Sequence, residues 1–140
     1  MRAEQYLGQI KNLKRRIDCL QRDAILWRTR AESISPKMDD GEHVQTTAIQ
    51  DKMADAITKA VDCEQESLEL MTKLIDVQYT IISQINQLDY PDHSIVLNEF
   101  YVHEMSIPEI ADEWGKSCRS IKRVKSDALE EFSRKFIEIL

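Results

Sequence analysis

Residues 3–34 have the sequence AEQYLGQIKNLKRRIDCLQRDAILWRTRAESI. Apolar or aromatic side chains recur in this stretch at steps that alternate between three and four residues. The positions are Ala3, Tyr6, Ile10, Leu13, Ile17, Leu20, Ala24, Trp27, Ala31 and Ile34. This heptad pattern places all of them on one face of an α-helix. We therefore predict a long helix that ends before Pro36, because proline disfavours helical backbone at the residue before it.

A second heptad pattern covers residues 49–88, and the polar stretch 35–47, with its Asp40-Gly41 turn signal, separates the two. Its positions are Ile49, Met53, Ala56, Ala60, Cys63, Ser67, Leu70, Leu74, Val77, Ile81, Gln84 and Leu88. Two such patterns joined by a loop predict a long antiparallel, coiled-coil-like helical hairpin over residues 1–88. A hairpin this thin does not bury both patterns completely, so we also predict a homo-oligomer, with a dimer favoured.

The composition supports an all-α fold class, because only 3 glycines and 3 prolines occur among 140 residues. Sandwiches, barrels and doubly wound sheets need more turns than these residues supply. No apolar run approaches 18 residues and no apolar leader stands at the N-terminus, so we expect a cytoplasmic protein with no membrane span.

The cysteines and histidines do not predict a metal centre. Cys19, Cys63 and Cys118 form no CxxC motif, and the three histidines stand at no ligand spacing relative to them. We expect reduced and mostly packed thiols. The sequence also has no glycine-rich phosphate loop and no nucleophile beside a base, so we expect no enzyme, no cofactor and no metal.

The C-terminal part, residues 89–140, contains closely spaced helix start and stop signals, which predict a small domain with short helices. Residues 92–103 predict a helix that follows Pro91 and turns Ile95, Val96 and Phe100 inward.

A second short helix is predicted to begin at the capping box formed by Ser106 and Glu109 and to end at Gly115. Ser117 is the predicted N-cap of the last helix, 118–132, which carries an apolar stripe. The stripe consists of Ile121, Val124, Ala128 and Phe132. Two helices joined by a tight glycine turn predict a helix-turn-helix domain.

The stretch 116–125 holds five basic and no acidic residues, although the whole chain has a net charge of −6. Most of this charge lies opposite the apolar stripe, so we expect the last helix to read the major groove of double-stranded DNA. The candidate DNA-binding residues are Lys116, Ser117, Arg119, Ser120, Lys122, Arg123, Lys125 and Ser126. The competing interpretation is a solvated basic face on an ordinary helical pair.

Residues 106–132, SIPEIADEWGKSCRSIKRVKSDALEEF, resemble region 4 of sigma-70-type factors. The positions in register are Ser106, Glu109, Ile110, Ala111, Trp114, Gly115, Ser117, Ile121, Ala128 and Leu129. Lys122 and Arg123 fall where that family contacts bases. Cys118 and Arg119 stand where sigma factors usually have Arg and Glu, so a standard −35 element is not the expected target.

The whole chain resembles small phage and prophage proteins of Gram-positive bacteria, the DUF1492 type, on segments such as 50–56, QDKMADA, and 33–35, SIS. It is similar in architecture to phage transcription activators of the ArpU and RinA type. The resemblance implies a transcriptional regulator in the bacterial host, whose hairpin oligomerises or contacts RNA polymerase. Two alternatives stay open: a DNA-packaging protein like a small terminase subunit, and an interaction protein that binds polymerase but not DNA.

Overall fold

The computed structural model describes residues 2–34 and 43–137, and every regular element in these two ranges is helical. The α-helices are α1 (Ala3–Leu7), α2 (Gln9–Ile34), α3 (His43–Ile85), α4 (Pro91–Leu97), α5 (Ile107–Trp114) and α6 (Cys118–Phe132). Single π-helical turns, Asn98–Val102 and Ser133–Ile137, follow α4 and α6. The predicted all-α fold class is therefore confirmed. None of the described helices combines the length and the apolar character that a membrane crossing requires.

Both heptad patterns become the inward faces of the long helices. In α1 and α2, each pattern position from Ala3 to Ala31 is buried or half-buried. The same holds from Ile49 to Leu88, and it includes the polar Ser67, which is 3% exposed. Alternating steps of three and four therefore locate the packed face, as heptad geometry requires.

The ends of these helices differ from the prediction in two places. A one-residue break at Gly8 separates α1 from α2, although its φ of −69° stays in the right-handed helical region. The loop predicted for 35–47 is too long, because α3 already begins at His43. Residues 35–42, which include Pro36 and the Asp40-Gly41 signal, lie outside the described residues.

The chain divides into two compact units, and the first of them is the middle of the two long helices, residues 15–72. Within it, Arg16 pairs with Glu66 at 3.5 Å, and the Lys59 ammonium lies 4.4 Å from the centre of the Trp27 ring. A later position of α2 thus meets an earlier position of α3, which is the order of contacts between antiparallel helices.

The second unit combines residues 1–14 with residues 73–140. Its core draws on α1, α2, the end of α3 and the three short helices. The fully buried side chains of this core include Leu7, Ile10, Ile81, Ile85, Val96, Leu97, Ile110, Ile121 and Phe132. The boundary predicted between residues 88 and 89 does not coincide with this division, because the C-terminal helices share their core with α1, the start of α2 and the end of α3.

Two details of the predicted packing are wrong. The segment 92–103 is α4 followed by a π-helical turn, and Ile95, expected inside, is 44% exposed, whereas Val96 and Leu97 are fully buried. The thiols were expected to be mostly packed, but Cys19 and Cys118 are exposed and Cys63 is only half-buried. Cys19 faces outward because it lies one residue before Leu20, a buried position of the heptad pattern.

Candidate nucleic-acid interface

The short helix α5 begins and ends with the local signals that the sequence contains. The Ser106 hydroxyl accepts a hydrogen bond from the Glu109 amide at 3.3 Å, and the Glu109 carboxylate accepts one from the Ser106 amide. At the other end, Gly115 has φ +64°, and the next amide, that of Lys116, donates to the carbonyl of Ala111 at 3.0 Å. This is a left-handed C-terminal cap, which glycine adopts without strain.

The helix α6 follows after two residues, and Ser117 caps it. The Ser117 hydroxyl accepts from the Ser120 amide at 3.2 Å and donates to the Ser120 hydroxyl at 3.0 Å. Both serines are candidate DNA contacts and both are exposed. Their hydroxyls also bond to each other and cap the first turn of α6, which helps to position the neighbouring basic residues.

The buried face of α6 packs against α4 and α5. Ile121, Ala128 and Phe132 have no measurable exposure, and Ile110 and Ala111 of α5 are buried opposite them. Ala111 is one of these buried residues, and its small side chain lets the two helices approach closely. The orientation of α6 about its own axis is therefore fixed by its apolar residues.

The opposite face of α6 presents the basic side chains to solvent. Arg119, Lys122, Arg123 and Ser126 are exposed, and Lys116 is exposed in the turn before them. Within the described part of the chain, none of these four cations pairs with a carboxylate, since the ion pairs found there involve other residues. Four positive charges that no described carboxylate neutralises thus lie at the N-terminal end of α6, where they could attract a phosphate backbone.

Lys125 differs from the other candidates because its side chain lies over aromatic rings. Its ammonium is 3.9 Å from the ring centre of Phe100 and 5.6 Å from that of Tyr101. Burial lowers the pKa of Lys125 and raises the pKa of Tyr101 to about 12. Lys125 is therefore part of the packing between α6 and the π-helical turn, where a cation over an aromatic face is stabilising.

The acidic residues that follow the basic stretch play different roles. Glu130 is exposed, whereas Glu131 is only 6% exposed. The Glu131 carboxylate accepts from the amide of Asp89 at 2.8 Å and lies 2.8 Å from Nδ1 of His93. Glu131 therefore ties the turn after α3 to α6, a role that the sequence did not suggest. The available signal was its position three residues after the buried Ala128, on the apolar side of the helix.

The neighbouring aromatic residue of α5 also has a carboxylate partner. The Trp114 indole donates to Glu99 at 3.3 Å. Burial, followed by a hydrogen bond with Glu113, raises the pKa of Glu99. These contacts attach the end of α5 to the π-helical turn after α4, which holds the turn at Gly115 in place beneath the basic face.

The described residues contain no group of three His, Cys, Asp or Glu side chains that could hold a metal ion. Comparisons of the chain with protein-family models, with curated proteins and with solved structures find no match.

Proposed function

We propose that this chain is a sequence-specific DNA-binding regulator of transcription, of the phage type, that acts in the bacterial cytoplasm. In this proposal α5, the turn at Gly115 and α6 act as a helix-turn-helix, and the first half of α6 enters a major groove. The observation that carries the proposal is a set of four cations without a carboxylate partner among the described residues. Arg119, Lys122 and Arg123 lie on the face of α6 opposite its buried side, and Lys116 lies in the turn before the helix.

The chemistry of these side chains suits two kinds of contact. Arg and Lys donate to guanine O6 and N7 at base edges, and they also neutralise phosphates. Arg119, Lys122 and Arg123 follow one another at helical spacing, so together they cover about one turn of α6. Lys116 lies in the turn before the helix, where a phosphate is the more accessible partner.

The rest of the chain is proposed to bring together the recognition helices, α6, of two copies. The long helices would support homo-oligomerisation, with a dimer favoured, or contact RNA polymerase. A dimer suits the recognition of two half-sites about 34 Å apart, one turn of duplex. No catalytic step, cofactor or metal belongs to this proposal.

The test is a selection of binding sequences from a random duplex library with the purified chain. Fluorescence anisotropy then measures the affinity for the selected duplex over a range of salt concentrations. Each phosphate neutralised contributes about −0.9 to the slope of log K against log salt, so the slope for one recognition helix is about −0.9 if only Lys116 contacts a phosphate and about −3.6 if all four cations do.

The decisive variant is Lys122→Ala/Arg123→Ala, compared with Lys52→Ala/Lys73→Ala as a control. Both double variants remove two positive charges from exposed helix positions, but the control changes α3. We expect the first to lose about 1–3 kcal/mol of binding free energy for each side chain that reads a base. We expect the control to bind as the unchanged chain does.

The alternatives give different results in the same experiments. If the purified chain enriches no sequence from the library and shows no salt-dependent DNA binding, the result would favour the alternative of an interaction protein that binds polymerase but not DNA. A ring of many subunits in solution would favour a DNA-packaging protein. Equal affinities for the two double variants would show that α6 is not the reading helix.

A further inference from the structure

A cavity of about 380 Å³ lies between α1, the start of α2 and the π-helical turn that follows α4. One wall is the side of α1 and α2 that carries Glu4, Gly8 and Lys11, and the other wall is formed by residues of the segment 100–106. All of the lining residues belong to one compact unit, which comprises residues 1–14 and 73–140. The volume falls within the range of about 300–1,000 Å³ that small-ligand sites occupy.

The backbone around this cavity departs from a regular helix at three points. The break between α1 and α2 falls at Gly8, and the opposite wall includes the π-helical turn with Phe100 and Tyr101. Glu104, which also lines the cavity, has φ +55° and is the one residue other than glycine with a positive φ in the described part of the chain. Single π-helical turns and left-handed residues other than glycine concentrate at functional sites. Their coincidence at one cavity therefore points to a binding site.

The wall formed by the segment 100–106 is largely apolar. Phe100, Tyr101 and Met105 line it, and each of them is half-buried. We call these three side chains the apolar wall. The two rings stand edge to face, with their centres 4.9 Å apart. Burial and then the Glu4 charge raise the pKa of Tyr101 to about 12, so its hydroxyl keeps its proton and can donate a hydrogen bond. This wall suits an apolar or aromatic group that carries polar groups beside it.

The helical wall carries opposite charges about two turns apart. Glu4 and Lys11 stand seven residues apart, so they lie on one side of the helix and roughly 10 Å apart along its axis. Both are exposed, and neither forms an ion pair within the described residues. Glu104, the other acid of the lining, already pairs with Lys14 at 3.4 Å. The cavity therefore offers a carboxylate toward one end of this wall and an ammonium toward the other.

Lys125 is the other cation whose charge acts on this region. Its ammonium lies 3.9 Å from the centre of the Phe100 ring, and Lys125 is not among the residues that line the cavity. Burial lowers the pKa of Lys125, and the Glu4 charge partly opposes this lowering. The two groups nevertheless form no ion pair among those found in the described residues. The Glu4 carboxylate can therefore bind a cation that enters the cavity.

We propose that this cavity binds a short peptide with free ends, whose ammonium pairs with Glu4 and whose carboxylate pairs with Lys11. Three extended residues span about 10 Å, which matches the separation of the two charges along the helix. The middle side chain of the peptide packs against the apolar wall. Gln5 and Asn12 add exposed side-chain amides to the helical wall, and such amides both donate to and accept from peptide groups. The site is separate from the basic face of α6, so the inference does not depend on DNA binding.

The first test titrates the ¹⁵N-labelled full chain with the tripeptide Ala-Phe-Ala and follows its amide signals by NMR. We expect saturable shifts at Gly8, Asn12 and Tyr101, which line the cavity, but not at Trp27, which belongs to the other compact unit. Acetylation of the peptide's amino end and amidation of its carboxyl end should each weaken binding by about two- to fivefold. This is the range of a partly exposed ion pair.

The second test assigns the two ends of the peptide with Glu4→Gln and Lys11→Gln. Glu4→Gln should weaken binding of the free tripeptide by about two- to fivefold but leave the affinity for the acetylated peptide unchanged, because that peptide has no ammonium. Lys11→Gln should behave in the same way toward the free and the amidated peptide. Asp76→Asn and Lys73→Gln are the matched controls, since each removes one exposed charge from α3 in the same compact unit, and both should bind as the unchanged chain does. Circular dichroism verifies that all four variants remain helical.

Three outcomes would overturn the inference. The first is the absence of saturable shifts at the cavity with millimolar tripeptide. The second is equal affinity for the free and the blocked tripeptides, which would show that the charged ends are not recognised. The third is equal affinity for an ω-aminooctanoate, which carries the same two charges at a similar spacing but has no peptide groups. None of these experiments contains DNA, so their failure is distinguishable from a failure of the proposed function.

Discussion

Two adjacent glutamates in α6, Glu130 and Glu131, provide a sharp test of the packing behind the basic face. Glu130 is exposed, whereas the buried Glu131 accepts a hydrogen bond from the amide of Asp89 and lies against His93, both at 2.8 Å. Glu131→Ala leaves both of these groups without their partner, and Glu131→Gln keeps one oxygen as an acceptor. Glu130→Ala is the matched control, because it removes the same charge one residue away.

The expected magnitude follows from the two polar groups that Glu131→Ala leaves unpaired and from their access to water. A buried polar group that is deprived of its partner costs about 1–3 kcal/mol. Asp89 is exposed and the His93 side chain is 17% exposed, so the lower end applies to each. We therefore expect Glu131→Ala to lower the free energy of unfolding by about 2 kcal/mol, with the glutamine variant in between. With a urea m-value of about 2 kcal/mol/M, the midpoint falls by about 1 M.

Tryptophan fluorescence can follow the unfolding of the compact unit that contains Glu131. The chain has two tryptophans, and Trp27 and Trp114 belong to different compact units. In a Trp27→Phe background the signal comes from Trp114, which shares a unit with Glu131. Equal urea midpoints for Glu130→Ala and Glu131→Ala would refute the structural role that we assign to the buried carboxylate.

Two further predictions concern the surroundings of the interface. Lys125→Ala should lower the free energy of unfolding by about 1 kcal/mol, because no ammonium then lies over the Phe100 ring. It should weaken DNA binding less than Lys122→Ala does, whereas Lys122→Ala should leave the urea midpoint unchanged. The raised pKa of Glu99 means that the folded state holds a proton more tightly than the unfolded state, so stability should fall as pH rises from the ordinary carboxyl pKa of 4.5 through the raised value. Glu99→Gln should flatten this decline in urea titrations at several pH values, whereas Glu113→Gln should lessen it, and an unchanged pH profile in Glu99→Gln would contradict the assignment.

The inward faces of the long helices could be predicted because heptad spacing places all the apolar residues of the pattern on one side of an α-helix. Every described position of the two patterns is buried or half-buried, including Ser67. The caps at Ser106, Gly115 and Ser117 were predictable for a related reason, since each depends on the chemistry of one residue and its nearest neighbours. Fold class and turn positions therefore follow from local sequence.

The side-chain partners were less predictable because they depend on which elements meet in space. Glu130 and Glu131 are identical in type, and only the packing of α6 decides that one is buried. Lys125 was counted with the other cations because net charge does not record direction. On a helical wheel it lies roughly 40° from the buried Ile121, so its direction was available from the spacing. Its aromatic partner Phe100, 25 residues earlier, was not.

The net charge of −6 does not oppose a DNA-binding role, because charge along α6 is graded and salt limits its range. Asp127 and Glu130 are the exposed acids on this side of α6, and they lie about 6 Å and about 10 Å farther along the helix axis than Arg123. At physiological ionic strength a charge is screened over about 8 Å. In the proposed complex, a duplex at the first half of α6 would meet the four cations, whereas a duplex moved toward the second half would meet Asp127 and Glu130. If the chain binds DNA as proposed, these acids therefore favour a contact at the N-terminal end of α6.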